Sequence, residues 1–178
     1  ENAFAYDLQA ACSGFLYGMS TASSMITSGR YKNVLLIGAD KMSSIVDYED
    51  RATCIIFGDG AGAVLFEASD SDFGWEDEYL RSDGSGRKYL NIKAGGSLLP
   101  TSRLTVENKM HNLYQDGKTV FKYAVSRMSD ATEQIIKRNK IDPKKIAYLV
   151  PHQANSRIID ATAKRINLPT EKVMRNIE

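Results

Sequence analysis

The sequence predicts an α/β fold built from stacked layers of helix and sheet. Three observations carry this. A strand–turn–helix unit opens the chain, a second one closes it, and a continuous apolar run suited to a buried strand lies between them. With 178 residues, 43% hydrophobic and 25% charged, the chain is long and apolar enough for a substantial core.

Ala3 to Leu8 is short and apolar and reads as a strand. From Gly14 onward, Phe15, Leu16, Met19, Ala22, Met25 and Ile26 recur at helical spacing. Ser28-Gly29 predicts the end of that helix, with Gly taking the left-handed position. Asn33 to Ala39 is apolar throughout, as expected of a strand covered on both faces. Cys54-Ile-Ile-Phe57 and Ala61 to Glu67 read as two further strands around a glycine-rich bend.

Residues 69–87 are polar and read as a surface connection that divides the chain into halves, 1–68 and 69–178. Tyr89 to Lys93 is a short strand, followed by a loop with Gly95, Gly96 and Pro100. Val120, Phe121, Ala124, Val125, Met128, Ala131, Ile135 and Ile136 give a strongly amphipathic helix, which Ile141-Asp-Pro143 closes. Ile146 to Val150 is predicted as a buried strand running into Pro151-His-Gln-Ala-Asn155. Ile158, Ile159, Thr162, Ala163 and Ile166 then mark a last helix, with Asn155 or Ser156 as its N-cap.

The totals exclude several classes. A net charge of +1 offers no global attraction to nucleic acid or membrane. Two cysteines and two histidines, with no C-x-x-C or H-x-x-x-H pattern, do not suggest a metal site. Such sparse cysteine usage fits a reducing cytoplasm. No apolar run reaches the roughly 18 residues of a membrane span, and no signal-peptide pattern opens the chain. The first residue is not Met and the last residues carry no terminal signal, so the chain reads as the interior of a longer protein.

Two residues stand where chemistry is done. Cys12, in Ala-Ala-Cys-Ser-Gly, falls at a strand-to-helix junction, where unpaired N–H groups and the helix dipole favour thiolate. Its own N–H could help bind an oxyanion, as at other nucleophile elbows. The alternative is a buried structural cysteine, the commoner fate of a free thiol. His152 stands at the corresponding place of the second unit, where α/β folds bind ligands, although a lone histidine is more often structural. Cys54 reads as core and His111 as loop packing. Phe57-Gly-Asp-Gly-Ala-Gly62 looks like a phosphate loop, but a strand follows it where such a loop needs a helix N-terminus. Residues 118–178 carry thirteen lysines and arginines against six acidic residues, a surplus that could dock an acidic partner or merely form a solvated face. No nucleic-acid motif accompanies that surplus.

Taken together, Asp7-Leu-Gln-Ala-Ala-Cys-Ser-Gly-Phe15, Phe57-Gly-Asp-Gly-Ala-Gly-Ala63 and Val150-Pro-His-Gln-Ala-Asn-Ser-Arg-Ile158 resemble β-ketoacyl-acyl carrier protein synthase III. These thiolase-like condensing enzymes initiate bacterial fatty acid synthesis. The likeness runs through essentially the whole chain, in motif order, and the His-Gln-Ala-Asn-x-Arg-Ile signature is its most specific part.

The resemblance implies a layered α-β-α-β-α fold, here the later part of the N-terminal half (1–68) and most of the C-terminal half (69–178). By the same resemblance, Cys12 is the acylated nucleophile and His152 the catalytic histidine. Asn155 would lie near the CoA tunnel, and Arg157 on the face that docks acyl carrier protein. Arg51 would hold the CoA nucleotide, Gly117 and Phe121 would stand at the tunnel mouth, and Phe57, Met42 and Leu113 would line the acyl pocket. The family's third catalytic group, an asparagine, is expected beyond residue 178, and family members are about twice this length.

The implied substrates are acetyl-CoA, or another short acyl-CoA, and malonyl-acyl carrier protein. No metal or redox cofactor is implied, and a cytoplasmic homodimer is. Taken alone, residues 1–178 are expected to be inactive. Thiolases would want a second catalytic cysteine and elongating synthases a second catalytic histidine, whereas plant-type polyketide synthases do not fit the Gln-Ala-Asn-x-Arg run. A secondary-metabolic relative making a polyketide or quinolone starter, or a non-catalytic fragment that binds carrier protein, stays open.

Overall fold

The computed structural model describes residues 2–177. They form two compact units, Glu1–Asp40 with Gly60–Leu80, and Lys41–Asp59 with Arg81–Glu178.

In the first unit, a 3₁₀ turn at Ala11–Ser13 leads directly into helix α1 (Gly14–Thr27). Gly29 follows its end at φ +71°, the left-handed position expected of it. Strand β1 (Asn33–Lys41) pairs with β2 (Asp59–Glu67) in a two-stranded sheet. Helix and sheet approach closely because small residues face large ones. A Cβ on Gly18 would collide with Leu36, and one on Gly38 would lie 2.9 Å from the Phe15 ring.

That contact covers one face of β1 only. Leu35 and Ile37, on the opposite face, are 61% and 62% exposed, so the expectation of a strand covered on both faces is not met. Ala3 to Leu8 forms no strand either. It is held by side chains rather than by a ladder: the Phe4 ring stacks on Tyr6 at 6.2 Å and tilts against Tyr31 at 5.5 Å.

In the second unit, the strand predicted at Cys54–Phe57 is replaced by consecutive turns. Asp50 is the cause. Its carboxylate accepts from the Ala52 N–H at 3.0 Å and the Thr53 hydroxyl at 2.8 Å, and its carbonyl accepts from the Thr53 and Cys54 N–H groups. Local bonds of this kind offer the backbone an alternative to a ladder, and here they override β-branched propensity.

Strand β3 (Leu90–Ile92) pairs antiparallel with β4 (Leu113–Gln115), placing Asn91 opposite Tyr114. Between them lies a short helix, α2 (Arg103–Glu107), started by Ser102 and Thr105 capping each other's N–H groups. Helix α3 (Gly117–Arg138) begins three residues before the predicted apolar stripe, because the Asp116 carboxylate accepts from the Thr119 N–H at 3.1 Å. Helix α4 (Ser156–Arg165) is capped by Asn155, whose side-chain oxygen accepts from the Arg157 N–H at 2.9 Å.

The core of this unit lies under α4. Ile159 is fully buried, clustered with Ala163, Ile166, Leu168 and Val173, and Ile136, Ile146 and Leu149 pack against the cluster. Burying a side chain such as Ile159 contributes about 1.5–3 kcal/mol. Arg165 adds ion pairs to Asp130 (2.7 Å) and Glu133 (2.8 Å) on α3, but their exposure keeps that contribution small. Ile146 to Val150 is not the predicted buried strand. Only Leu149 bridges, in parallel to Val173, and Val150 is 70% exposed. Among the described residues, no helix is long and apolar enough to cross a membrane.

Candidate active site

Cys12 occupies the middle of the 3₁₀ turn, immediately before α1. The bend that presents it is tight. Ala11 adopts φ +46°, a left-handed conformation that costs a residue bearing a Cβ about 1–2 kcal/mol, and the Ser13 N–H closes the turn on the Ala10 carbonyl at 3.1 Å. A small side chain at position 11 keeps that cost low.

The thiol itself departs from expectation. Cys12 is an exposed residue, yet desolvation pushes its thiol above the ordinary value, and the Asp40 charge pushes the same way. A hydrogen bond from its own backbone N–H pulls it down without prevailing. The helix start therefore does not by itself yield the lowered pKa that sequence reasoning anticipated.

The remaining predicted site residues lie in the second unit. Met42 belongs to a 3₁₀ turn (Met42–Ser44), and the Leu113 N–H donates to the Ile45 carbonyl at 2.8 Å, tying that turn to the start of β4. Gly117 and Phe121 follow in the first turns of α3. Arg51 is exposed in the turns after Asp50, and Phe57 is half-buried at their end.

Two clamps hold this loop. The Asp59 carboxylate accepts from the Ser43 N–H (2.8 Å) and hydroxyl (2.6 Å). The Lys109 ammonium donates to Asp47 (3.0 Å) and Glu49 (2.5 Å), which raises the Lys109 pKa and helps lower that of Asp47. Met42, Leu113, Arg51 and Phe57 are thus on segments bonded to one another. Lys109 carried no signal in the sequence, since a loop lysine is the least distinctive of residues.

His152 is exposed in the loop between Leu149 and α4, flanked by buried Pro151 and by half-buried Gln153 and Asn155. Arg157 points its backbone into the Asn155 cap and is itself exposed. Cys54 is half-buried, and His111 is part of loop packing, its Nε2 lying 3.0 Å from the Thr105 hydroxyl. Gly60 and Gly62 lie inside β2, so no helix N-terminus follows the glycine run. A cleft of about 540 Å³ beside α1, lined by Ser20, Ser24, Trp75 and Glu76 among others, contains none of the predicted site residues.

The family model for 3-oxoacyl-[acyl-carrier-protein] synthase III matches residues 6–84, and the model for its C-terminal part matches residues 136–178. The chain belongs to the synthase III family. Among its relatives, the β-ketoacyl-[acyl-carrier-protein] synthase III of Phocaeicola vulgatus is 59% identical over 178 residues, covering all of this chain and 53% of the relative. A synthase III of Bacteroides thetaiotaomicron is 58% identical over the same span, again 53% of the relative. The solved synthase III of Thermus thermophilus superposes with a TM-score of 0.87 at 40% identity, over 98% of this chain and 53% of that one. The fold is accordingly the thiolase-like α/β fold of synthase III, and the chain spans about half the length of the curated relatives it matches.

Proposed function

We propose that the full-length protein carrying this chain is a β-ketoacyl-acyl carrier protein synthase III that joins a short acyl group, acetyl-CoA first among the candidates, to malonyl-acyl carrier protein. The observation that supports this reading best is the strained bend at Ala11, which presents the Cys12 thiol at the start of α1 in a chain of this family.

The chemistry is ping-pong. The Cys12 sulfur, once deprotonated, attacks the acyl-CoA carbonyl, the carbon–sulfur bond to CoA breaks, and CoA leaves as a thiol after taking a proton. Malonyl-acyl carrier protein then loses CO₂, and the electron pair of the broken carbon–carbon bond becomes an enolate. That carbanion attacks the acyl carbon on Cys12, expelling the thiolate and leaving 3-oxoacyl-acyl carrier protein. Neutral His152 donates a hydrogen bond to the enolate oxygen, with an asparagine beyond residue 178 as second donor. One such donor aimed at developing charge is worth about 3–4 kcal/mol. None of these steps calls for a metal or a redox cofactor.

Arg51 binds the nucleotide of CoA, Asn155, Gly117 and Phe121 flank the pantetheine path, and Phe57, Met42 and Leu113 contact the acyl chain. Exposed Arg157, with the basic surplus of residues 118–178, docks the acidic carrier protein. The protein acts as a cytoplasmic homodimer, and residues 1–178 alone do not turn over.

The test is product formation by the full-length protein from acetyl-CoA and malonyl-acyl carrier protein. Formation of 3-oxobutyryl-acyl carrier protein, with at least a hundredfold loss in His152→Ala, supports the reading. Condensation only with other starter acyl groups would favour the secondary-metabolic relative, and carrier-protein binding without condensation a non-catalytic role.

A further inference from the structure

Segment 172–176 runs parallel to residues 149–151 and begins as an ordinary ladder. The Leu149 N–H donates to the Lys172 carbonyl at 2.8 Å, and the Met174 N–H donates to the Leu149 carbonyl at 2.9 Å. A parallel ladder would continue with the N–H of residue 151 donating to the Met174 carbonyl, and the Asn176 N–H donating to the carbonyl of residue 151. Residue 151 is proline and has no N–H to give. The rung cannot form.

The side chain of Gln153 occupies that position. Its Nε2 donates to the Met174 carbonyl at 3.1 Å and to the Pro151 carbonyl at 2.9 Å, and its Oε1 accepts from the Asn176 N–H at 3.1 Å. A carboxamide has the donor and acceptor of a peptide group, so one side chain replaces the missing rung and uses both of its N–H donors.

The consequence falls on His152, which lies between the two residues involved. On one side Gln153 binds the loop to segment 174–176. On the other, Asn155 fixes it to α4, which is anchored by buried Ile158 and Ile159.

We propose that Gln153 is a positioning residue for His152: its amide stands in for the absent Pro151 N–H and sets the backbone from which the imidazole works. This rests on the reading of His152 given under Proposed function. It places the effect of Gln153 on decarboxylation and condensation rather than on acylation of Cys12.

The two half-reactions are measured separately in the full-length protein. In Gln153→Met, condensation with malonyl-acyl carrier protein should fall at least tenfold, while acylation of Cys12 by acetyl-CoA changes less than twofold. Equal losses in both steps, or none in either, would overturn the proposal. Gln153→Glu serves even if the methionine variant fails to fold. Its carboxyl can donate to the Met174 carbonyl only when protonated, so its condensation-to-acylation ratio, relative to wild type, should rise as pH falls. A flat relative ratio counts against the proposal.

Hydrogen exchange at the Asn176 amide separates this proposal from the function it rests on. Exchange at least tenfold faster in Gln153→Met, which lacks the oxygen that accepts the Asn176 N–H, is expected whether or not the protein is a synthase, and unchanged exchange would show that Gln153 does not hold the segment. A wild-type protein that fails to acylate would instead refute the proposed function.

Discussion

Ala11 and Cys12 are consecutive residues in opposite predicaments: one backbone is strained, one thiol is desolvated. Removing the Cβ at position 11 removes the clash at φ +46°, so Ala11→Gly should raise the thermal midpoint. Ala11→Val should lower stability by about 1–2 kcal/mol, measured by urea unfolding. For Cys12, desolvation and Asp40 favour the protonated thiol, so the thiolate population grows only at pH above the ordinary thiol range. The rate of alkylation by iodoacetamide should follow that rise, and a midpoint below the ordinary cysteine value would contradict the environment described. The sequence could show where Cys12 stands, because small residues and a helical stripe surround it. It could not show the φ of Ala11, since alanine carries no mark of a left-handed turn, nor the desolvation that outweighs the helix start.

Among the elements, long periodic stretches were legible; of the short ones, β3 falls within the strand predicted at Tyr89–Lys93, while two others left no signal. The stripes of α1, α3 and α4 predict those helices because each buries a continuous face. Helix α2 and strand β4 escaped because five and three residues are too few to display a period. The strand predicted at Cys54–Phe57 failed because Asp50 supplies local acceptors that the apolar residues do not reveal. The one predicted at Ile146–Val150 failed because proline ends the ladder after a single bridge.

Two substitutions test the role assigned to α4. Ile159→Ala should cost about 2–5 kcal/mol in denaturant unfolding, since the side chain is wholly enclosed. Asn155→Ala should cost about 1 kcal/mol through loss of the cap, and Asn155→Ser should recover most of it. A loss of activity that persists in Asn155→Ser would then be attributable to substrate contact rather than to capping.

For the whole molecule, the exposed apolar residues matter most. Leu35 and Ile37 stand open on β1, and Ile55, Leu65 and Val150 are also exposed in a chain that spans about half the length of its relatives. Apolar surface of this kind is normally covered in a finished protein. Isolated residues 1–178 should therefore bind a hydrophobic dye more strongly than the full-length protein does, and should show no condensation activity. Equal dye binding or measurable turnover would contradict this. Family membership was legible because three separated motifs keep their order along the chain, a constraint that no single element supplies.

The proposed reaction requires the sulfur of residue 12 to carry the acyl group between its two thioester partners. Peptide mass mapping of the full-length protein after incubation with acetyl-CoA reads out that transfer. The predicted result is a single acetyl group on the peptide containing Cys12, absent from Cys12→Ser and discharged when malonyl-acyl carrier protein is added. Acetylation at another residue, or an unmodified Cys12 in a protein that still forms 3-oxoacyl product, would contradict it.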